Sequence, residues 1–340
     1  MKKFILLLVL FIPLFGKSQD IEQFLLAGTK DASKLTKNYI NPVAKGFMYA
    51  LNNGWYSTAR THKPLGFDVT LITNFAQIPS SDKVFQFVAN DYSHINLASG
   101  SPEIQTLAGG KNNTNLIVRL KADEEGEYNL SKFTMPDGIG DDLPVNSVAT
   151  PALQIGFGIP VINADLKVRY LPKVGSSDLK FGMLGIGVQK NLSKILKLGN
   201  SPVDISALAA FTRLTAEYDI QKRSKLKGSG QMIELNTNSY TFQAIASIKL
   251  TLIEFYGAVG YNAAMMDVDI KGTYDLQYTH ETTGIRVGKT ITDPISIDFD
   301  ANGMLATIGT RLNLAFFKIF INYTIQEYNV FTGGIAFSFR

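Results

Sequence analysis

From Trp55 to Phe339 the chain alternates apolar and polar side chains with a period of two, the repeat of a strand whose faces meet different surroundings. Ile162, Ala164, Leu166, Val168 and Tyr170 share one face, and Asn163, Asp165, Lys167 and Arg169 the other. Ala149 to Ile159 repeats this, with Thr150 and Gln154 on the polar side. Tyr240 to Leu250 opposes its apolar positions to Thr241, Gln243, Ser247 and Lys249. Phe255 to Asn262, Met304 to Leu314 and Ile319 to Gln326 continue the pattern, and 65–76, 178–190 and 203–218 follow it less regularly. Such runs approach ~10 residues, near the ~9–11 needed to cross a bilayer and longer than ordinary globular strands.

The N-terminal part reads differently. Ile21, Phe24, Leu25, Ala32, Leu35 and Tyr39 recur at helical spacing, and Asn41-Pro42 predicts a second short helix reaching about Leu51. The links also divide into two kinds. Pro160-Val161, Thr251-Leu252 and Ala315-Phe316 are tight, whereas 219–237 and 266–302 are long and polar. Short turns at one end and long loops at the other is the outer-membrane pattern. The segment 77–146, with four prolines and the acidic run Asp123-Glu124-Glu125, reads as an external excursion with one hairpin around 115–134.

The compartment follows from the first residues. Met1-Lys2-Lys3, the apolar run Phe4–Phe15 and the small residues Gly16 and Ser18 form a secretory signal, cleaved after Ser18. Beyond it no apolar stretch is long enough for a transmembrane helix, which leaves a closed barrel as the way to reside in a membrane. The expected fold is all-β: a single antiparallel transmembrane β-barrel of about 12 strands, between 10 and 14, with a short N-terminal helical plug. The expected organisation is signal peptide 1–18, helical plug 19–52 and barrel 53–340, with 77–146 and 266–302 outside the cell.

Charge and chemistry add exclusions. The net charge of +4 falls by the three lysines of the signal, to +1, so no nucleic-acid partner is expected. Without cysteine there is no disulfide, thiol nucleophile or thiolate metal site. His62, His94 and His280 are too scattered for a metal centre, and no cofactor is expected. Asp298-Phe-Asp300-Ala-Asn302-Gly303 begins like a calcium loop but has Gly309 where the bidentate Glu belongs, so it is read as a turn. His280 near Asp275 and Glu281 keeps a membrane-embedded hydrolase open, although no triad spacing supports an enzyme.

The candidate site is the polar face: Asp68, Gln154, Asp165, Lys167, Arg169, Gln243, Lys249, Arg311 and Lys318. An Arg or Lys on the lipid face would cost ~2–4 kcal/mol at midplane, so these point into the lumen. They either brace the barrel or line a solute path. The ending Gly334-Ile-Ala-Phe337-Ser-Phe339-Arg340 looks like the C-terminal assembly signal of outer-membrane barrels, with Gly334, Phe337 and Phe339 as its elements. That likeness implies barrel-assembly machinery and outer-membrane lipid as partners; Arg340 after the last aromatic departs from it.

Pro151-Ala-Leu-Gln154-Ile-Gly-Phe-Gly158, Leu166-Lys-Val-Arg169-Tyr-Leu-Pro172 and Leu184-Gly-Ile-Gly-Val188 resemble a family of uncharacterised exported bacterial proteins. That group lies near the long-chain fatty-acid-transporter-like barrels, and the helical Asp20–Asn53 segment is similar to their N-terminal hatch. The resemblance implies a plugged barrel and no established substrate. The expected function is passage or binding of a small hydrophobic solute at the outer membrane. The alternatives are a structural or adaptor barrel that presents its loops to a partner, a membrane-embedded hydrolase, and a secreted soluble β-sandwich or lipid-binding protein.

Overall fold

The computed structural model describes residues 22–122, 127–160, 162–176, 178–198, 201–221 and 227–339. The expected signal peptide, the acidic run Asp123–Glu125 and Arg340 lie outside the described residues. A 3₁₀ turn, Glu22–Ala27, precedes helix α1, Thr29–Leu51. The strands follow: β1 Phe67–Gln77, β2 Val84–Gln86, β3 Ile95–Ser99, β4 Glu103–Gln105, β5 Asn115–Lys121, β6 Tyr128–Thr134, β7 Ser147–Ile159, β8 Ala164–Gly175 and β9 Leu179–Asn191. After them come β10 Val203–Asp219, β11 Met232–Lys249, β12 Ile253–Lys271, β13 Thr273–His280, β14 Arg286–Thr292, β15 Ile295–Leu314, β16 Phe317–Ile325 and β17 Val330–Phe339.

Ten strands close into an antiparallel barrel in the order β1-β17-β16-β15-β12-β11-β10-β9-β8-β7. Closure occurs because β1 pairs with the last strand on one side and with β7 on the other. Ten replaces the expected twelve. Outside the barrel, β3, β5, β6, β13 and β14 form a separate five-stranded sheet, β14-β13-β6-β5-β3, at the long-loop end, and β2 pairs with β4. The hairpin expected near 115–134 is β5–β6 of that sheet.

The outer surface explains the long alternation. On β12, Phe255, Val259, Tyr261 and Met265 are exposed large hydrophobics, and the outward register then passes to Asp267, Asp269 and Lys271. β15 mirrors it, with Ser296, Asp298, Asp300 and Asn302 outward before Met304, Ile308, Leu312 and Leu314. The apolar stretch spans about 33 Å along a strand and, at a tilt of ~40°, about 25 Å of height, the thickness of a bilayer core. Aromatic side chains bound it: Phe67 stacks on Phe339 at 5.1 Å at the short-turn end, and Tyr170, Tyr240, Tyr261 and Tyr323 are exposed at the other. Above this band the sign reverses, and Met266, Val268, Ile270, Ile297 and Phe299 turn inward into the main hydrophobic core.

That reversal corrects one reading. Asp298–Gly303 is no turn; β15 runs through it, with its acids outward beyond the apolar outer band. A second correction concerns Pro42. One helix, Thr29–Leu51, continues through it, and the break falls earlier at Gly28, where φ is +78°. An internal proline costs a helix about 3 kcal/mol. Enclosure offsets that cost, because Leu35, Tyr39, Val43 and Phe47 are all buried against the core. Among the described residues no helix is long and apolar enough to cross a membrane.

Candidate functional site

The chain enters the barrel from the long-loop end. Phe24 packs on Tyr39 and Phe133, and the Tyr278 hydroxyl donates to Leu26 O at 3.0 Å, which ties the 3₁₀ turn to the five-stranded sheet. The Asp31 carboxylate accepts the backbone amides of Ser93 and His94. Helix α1 then descends inside the wall. Near its end, Lys45 Nζ and the Tyr49 hydroxyl donate to the two oxygens of Glu327, at 2.7 and 2.6 Å, in the β16–β17 turn.

Burial pushes the Glu327 carboxyl up, but these two donors more than offset that, and it titrates below the ordinary glutamate range. A carboxyl with a lowered folded-state pKa contributes stability that is present above the unfolded value and lost as pH falls through the folded one. Acidification below about pH 4 should therefore loosen residues 45–51 first. Hydrogen exchange of those amides checks it, with Glu327→Gln expected to abolish the pH dependence.

Below the helix, residues 52–66 run extended to the short-turn end, and inward side chains of successive strands bind their polar groups. Arg169 Nη1 donates to Leu51 O at 3.2 Å, Nη2 to Asn53 O at 2.8 Å and Nε to Gln154 Oε1 at 3.2 Å. These carbonyls lie at the C-terminus of α1, where the helix leaves acceptors unpaired and favours a cation. The guanidinium also lies over the Trp55 ring, 3.9 Å from its centroid. Lys167 Nζ donates to Trp55 O at 2.8 Å, and Gln154 Nε2 reaches the same oxygen at 3.4 Å. Trp55 itself fits against Gly185 and Gly187, where an added Cβ would approach the ring to 3.0 Å.

Further down, the Tyr56 hydroxyl donates to Gln243 Oε1 at 2.7 Å, and Gln189 Nε2 donates to Thr58 O at 2.8 Å. Ser247 and Thr58 hydroxyls both donate to Glu254 Oε1. Arg60 pairs with Asp204 at 2.7 Å. Asp165 accepts the His62 backbone amide at 2.9 Å and meets Nδ1 at 3.0 Å, while Asp68 lies 3.7 Å from Nε2. Chain residues 29–66 thus occupy the lumen as a strap held at both ends.

The nine candidate residues therefore fall into four places. Gln154, Lys167 and Arg169 gather around Leu51–Trp55; Asp68 and Asp165 flank His62; Gln243 meets Tyr56; and Lys249, Arg311 and Lys318 stand at the short-turn mouth. Their partners Trp55, Tyr56, His62, Ser247 and Glu254 were not singled out in the sequence. Glu254 had a signal: it follows a tight link and takes an inward position between Lys249 and Arg311 in the ladder. Gly334 lies directly under the Phe320 ring, and Phe337 and Phe339 face outward. His280 sits 3.8 Å from Glu127 in the loop sheet, while Asp275 accepts from Thr290 at 2.6 Å. Among the described residues no cluster of three or more metal-ligating acids or histidines occurs.

The wall beside the Arg169 cluster is open. β7 and β8 pair only from Gln154↔Arg169 to Ile159↔Ala164, although β7 continues to Ser147 and β8 to Gly175. Extending that register would set Leu153 opposite Tyr170 and Pro151 opposite Pro172. Hydrogen-bond parity locates the missing donors. Gly158 N donates to Gly66 O and Asn191 N to Asn163 O, so even residues of β7 bond towards β1 and odd residues of β8 towards β9. The nitrogens of Pro151 and Pro172 therefore both face the seam, and neither carries a hydrogen to donate. On the outer face this stretch is lined by exposed Leu153 and Tyr170. β8 is irregular here as well, shifting register against β9 between Leu171 and Val174.

A family model described as "Family of unknown function (DUF6588)" matches residues 1–339. No curated protein matches the sequence. Among solved structures, the attachment invasion locus protein Ail of Yersinia pestis is similar at 8% identity and a TM-score of 0.26, covering 82% of this chain and 100% of that one. Outer membrane protease OmpT from Escherichia coli is similar at 8% identity and a TM-score of 0.32, covering 83% and 100%. The translocator domain of autotransporter NalP from Neisseria meningitidis is similar at 9% identity and a TM-score of 0.26, covering 83% and 90%.

Proposed function

We propose, for a chain that belongs to the DUF6588 family of unknown function, that it is a bacterial outer-membrane barrel passing or binding a small hydrophobic solute. Its lumen is closed by the 29–66 strap, and the solute moves through the wall at the β7–β8 seam. The short turns face the periplasm and the five-stranded sheet faces outward, following the loop asymmetry of such barrels. The apolar outer band and the secretory signal read in residues 1–18 support that placement. No role as an enzyme is proposed.

The observation that carries the reading is the unpaired seam. It begins at Leu153 and Tyr170, at the upper edge of the apolar band, where a wall without ladder hydrogen bonds gives an apolar solute a lateral opening. Extending the β7–β8 register sets Pro151 and Pro172 opposite each other along it, and it lies next to the strap's best-anchored point. An apolar solute entering here meets Leu153 and Tyr170 outside and the Trp55–Arg169 pair inside. The solute class rests on the sequence resemblance to fatty-acid-transporter-like barrels.

The chain has no cysteine, so the seam can be closed by one engineered disulfide, Leu153→Cys with Tyr170→Cys. Uptake of an apolar fluorescent dye by intact cells should fall several-fold when the pair is oxidised and recover on reduction. A control bridge at the already paired Phe157 and Leu166 should change nothing. Equal uptake by oxidised and reduced Leu153→Cys/Tyr170→Cys protein would remove the seam as a route.

A second reading has its own observation. The five-stranded sheet is an ordered body tied to the strap through Tyr278, Phe133 and Asp31 and internally through Arg119–Glu281 at 2.9 Å. That is the construction expected of a barrel that presents a rigid external surface to a partner. On this reading the seam disulfide has no effect, and replacing 273–292 by a short turn abolishes function.

A further inference from the structure

We propose that the short-turn mouth of the barrel carries a binding site for a phosphate-class oxyanion, formed by Lys249, Arg311 and Lys318. The three come from β11, β15 and β16 and all sit on inward register positions. Lys249 is opposite Glu254, Glu254 is opposite Arg311, and Lys318 is opposite Asn313, the next inward residue after Arg311. The three cations therefore stand within two neighbouring rungs of one patch of wall.

Their neutralisation is incomplete. Among the described residues none of the three forms an ion pair, whereas Arg60 pairs with Asp204 and His62 with Asp165 at the same mouth. Glu254, the acid between Lys249 and Arg311, forms no ion pair with either and directs Oε1 to Thr58 and Ser247, although its field reaches Arg311 and Lys318. Asp68 is the remaining acid whose field reaches Arg311; it leans on His62 Nε2 at 3.7 Å, and its Oδ1 is buried without a partner. Arg311 Nη1 donates to Ser57 Oγ at 3.3 Å, but its Nε–H is buried and has no acceptor. A buried guanidinium N–H with nothing to bond costs the folded state free energy that an oxygen would return. Lys318 Nζ reaches only the carbonyl of Ala315. Three cations held together at mutual expense, one with an orphaned donor, fit an anion with several acceptor oxygens.

The same chemistry has two sources at a periplasmic rim: free phosphate and the headgroup of a phospholipid in the inner leaflet. Purified protein in a neutral maltoside, free of phosphate, is titrated with inorganic phosphate by calorimetry. In parallel, native mass spectrometry detects phosphatidylglycerol retained from the membrane. Binding of inorganic phosphate identifies a free anion as ligand; retained lipid without phosphate binding identifies the headgroup.

In either case Lys249→Gln/Lys318→Gln should weaken binding about tenfold or more, the loss of two charge-assisted contacts. Lys249→Arg/Lys318→Arg should retain it. Both variants are first checked for the boiled-versus-unboiled gel shift. Lys249→Gln alone, at an exposed position, serves if the double variant fails that check. Absence of both phosphate binding and retained lipid, or equal binding by wild type and the Gln variants, overturns the proposal.

Discussion

Arg169→Ala should cost the folded barrel about 3–5 kcal/mol, the largest effect expected of any single polar substitution in this chain. Arg169 is 0% exposed and serves three acceptors at once: Leu51 O, Asn53 O and Gln154 Oε1. Alanine leaves Leu51 O, at a helix end that already lacks partners, and Gln154 Oε1 without this donor, and leaves Asn53 O with only the 3.3 Å bond from Asn74 Nδ2. It also uncovers the Trp55 ring.

Denaturant unfolding in detergent gives the energy, and limited proteolysis within 52–58 reports whether the strap has come loose. Arg169→Lys should recover only part, because an ammonium on a shorter stem cannot span acceptors arranged around a planar fork. Lys167→Ala, which removes a single bond to Trp55 O, should cost less than half as much. An Arg169→Ala variant within 1 kcal/mol of wild type would mean that the strap is held elsewhere, and the Glu327 contacts would become the main anchor.

The fold was legible wherever a strand turns apolar side chains outward and polar ones inward. Each of the ten runs of alternation read from the sequence falls on a barrel strand, because the two faces of the wall meet different surroundings. Alternation by itself does not mean wall. β5, β6, β13 and β14 alternate too, but they are only seven or eight residues long and belong to the loop sheet. Length, not pattern, separates them from β10–β12, which run to 17–19 residues.

Asp298–Gly303 was misread because β15 continues beyond the apolar outer band, where its polar face turns outward and the same period reports the opposite geometry. The candidate site was half legible. Charges such as Lys167 and Arg169 have to face inward on energetic grounds, but their partners sit in 52–66, where the alternation expected from Trp55 and a barrel expected from 53 give way to a strandless segment inside the lumen, the wall starting at Phe67. Trp55 and His62 gave no local signal. The prolines were visible in the sequence, yet only the β7–β8 register sets them face to face.

That register makes the second large prediction. Pro151→Val/Pro172→Val should close the seam and abolish most seam-dependent dye uptake. Valine restores an N–H at each position, and both donors point across the gap, since odd residues of β7 and even residues of β8 bond towards one another. With donors in place, Pro151↔Pro172 and Leu153↔Tyr170 become positions of an ordinary antiparallel ladder, and a β-branched residue suits it. Each restored bond is worth about 1 kcal/mol, so the variant should also be more stable than wild type by ~2 kcal/mol.

A gain of stability with a loss of uptake is the opposite of what general damage produces, which makes the pair of measurements diagnostic. Single substitutions should do little, because one proline left on either side still removes a donor from the same rung. Hydrogen exchange at the amides of Leu153 and Tyr170 reads the ladder directly: both should become protected in the double variant. If they exchange as in wild type while uptake is unchanged, the opening is imposed by the register shift of β8 against β9 near Leu171 and not by the missing donors.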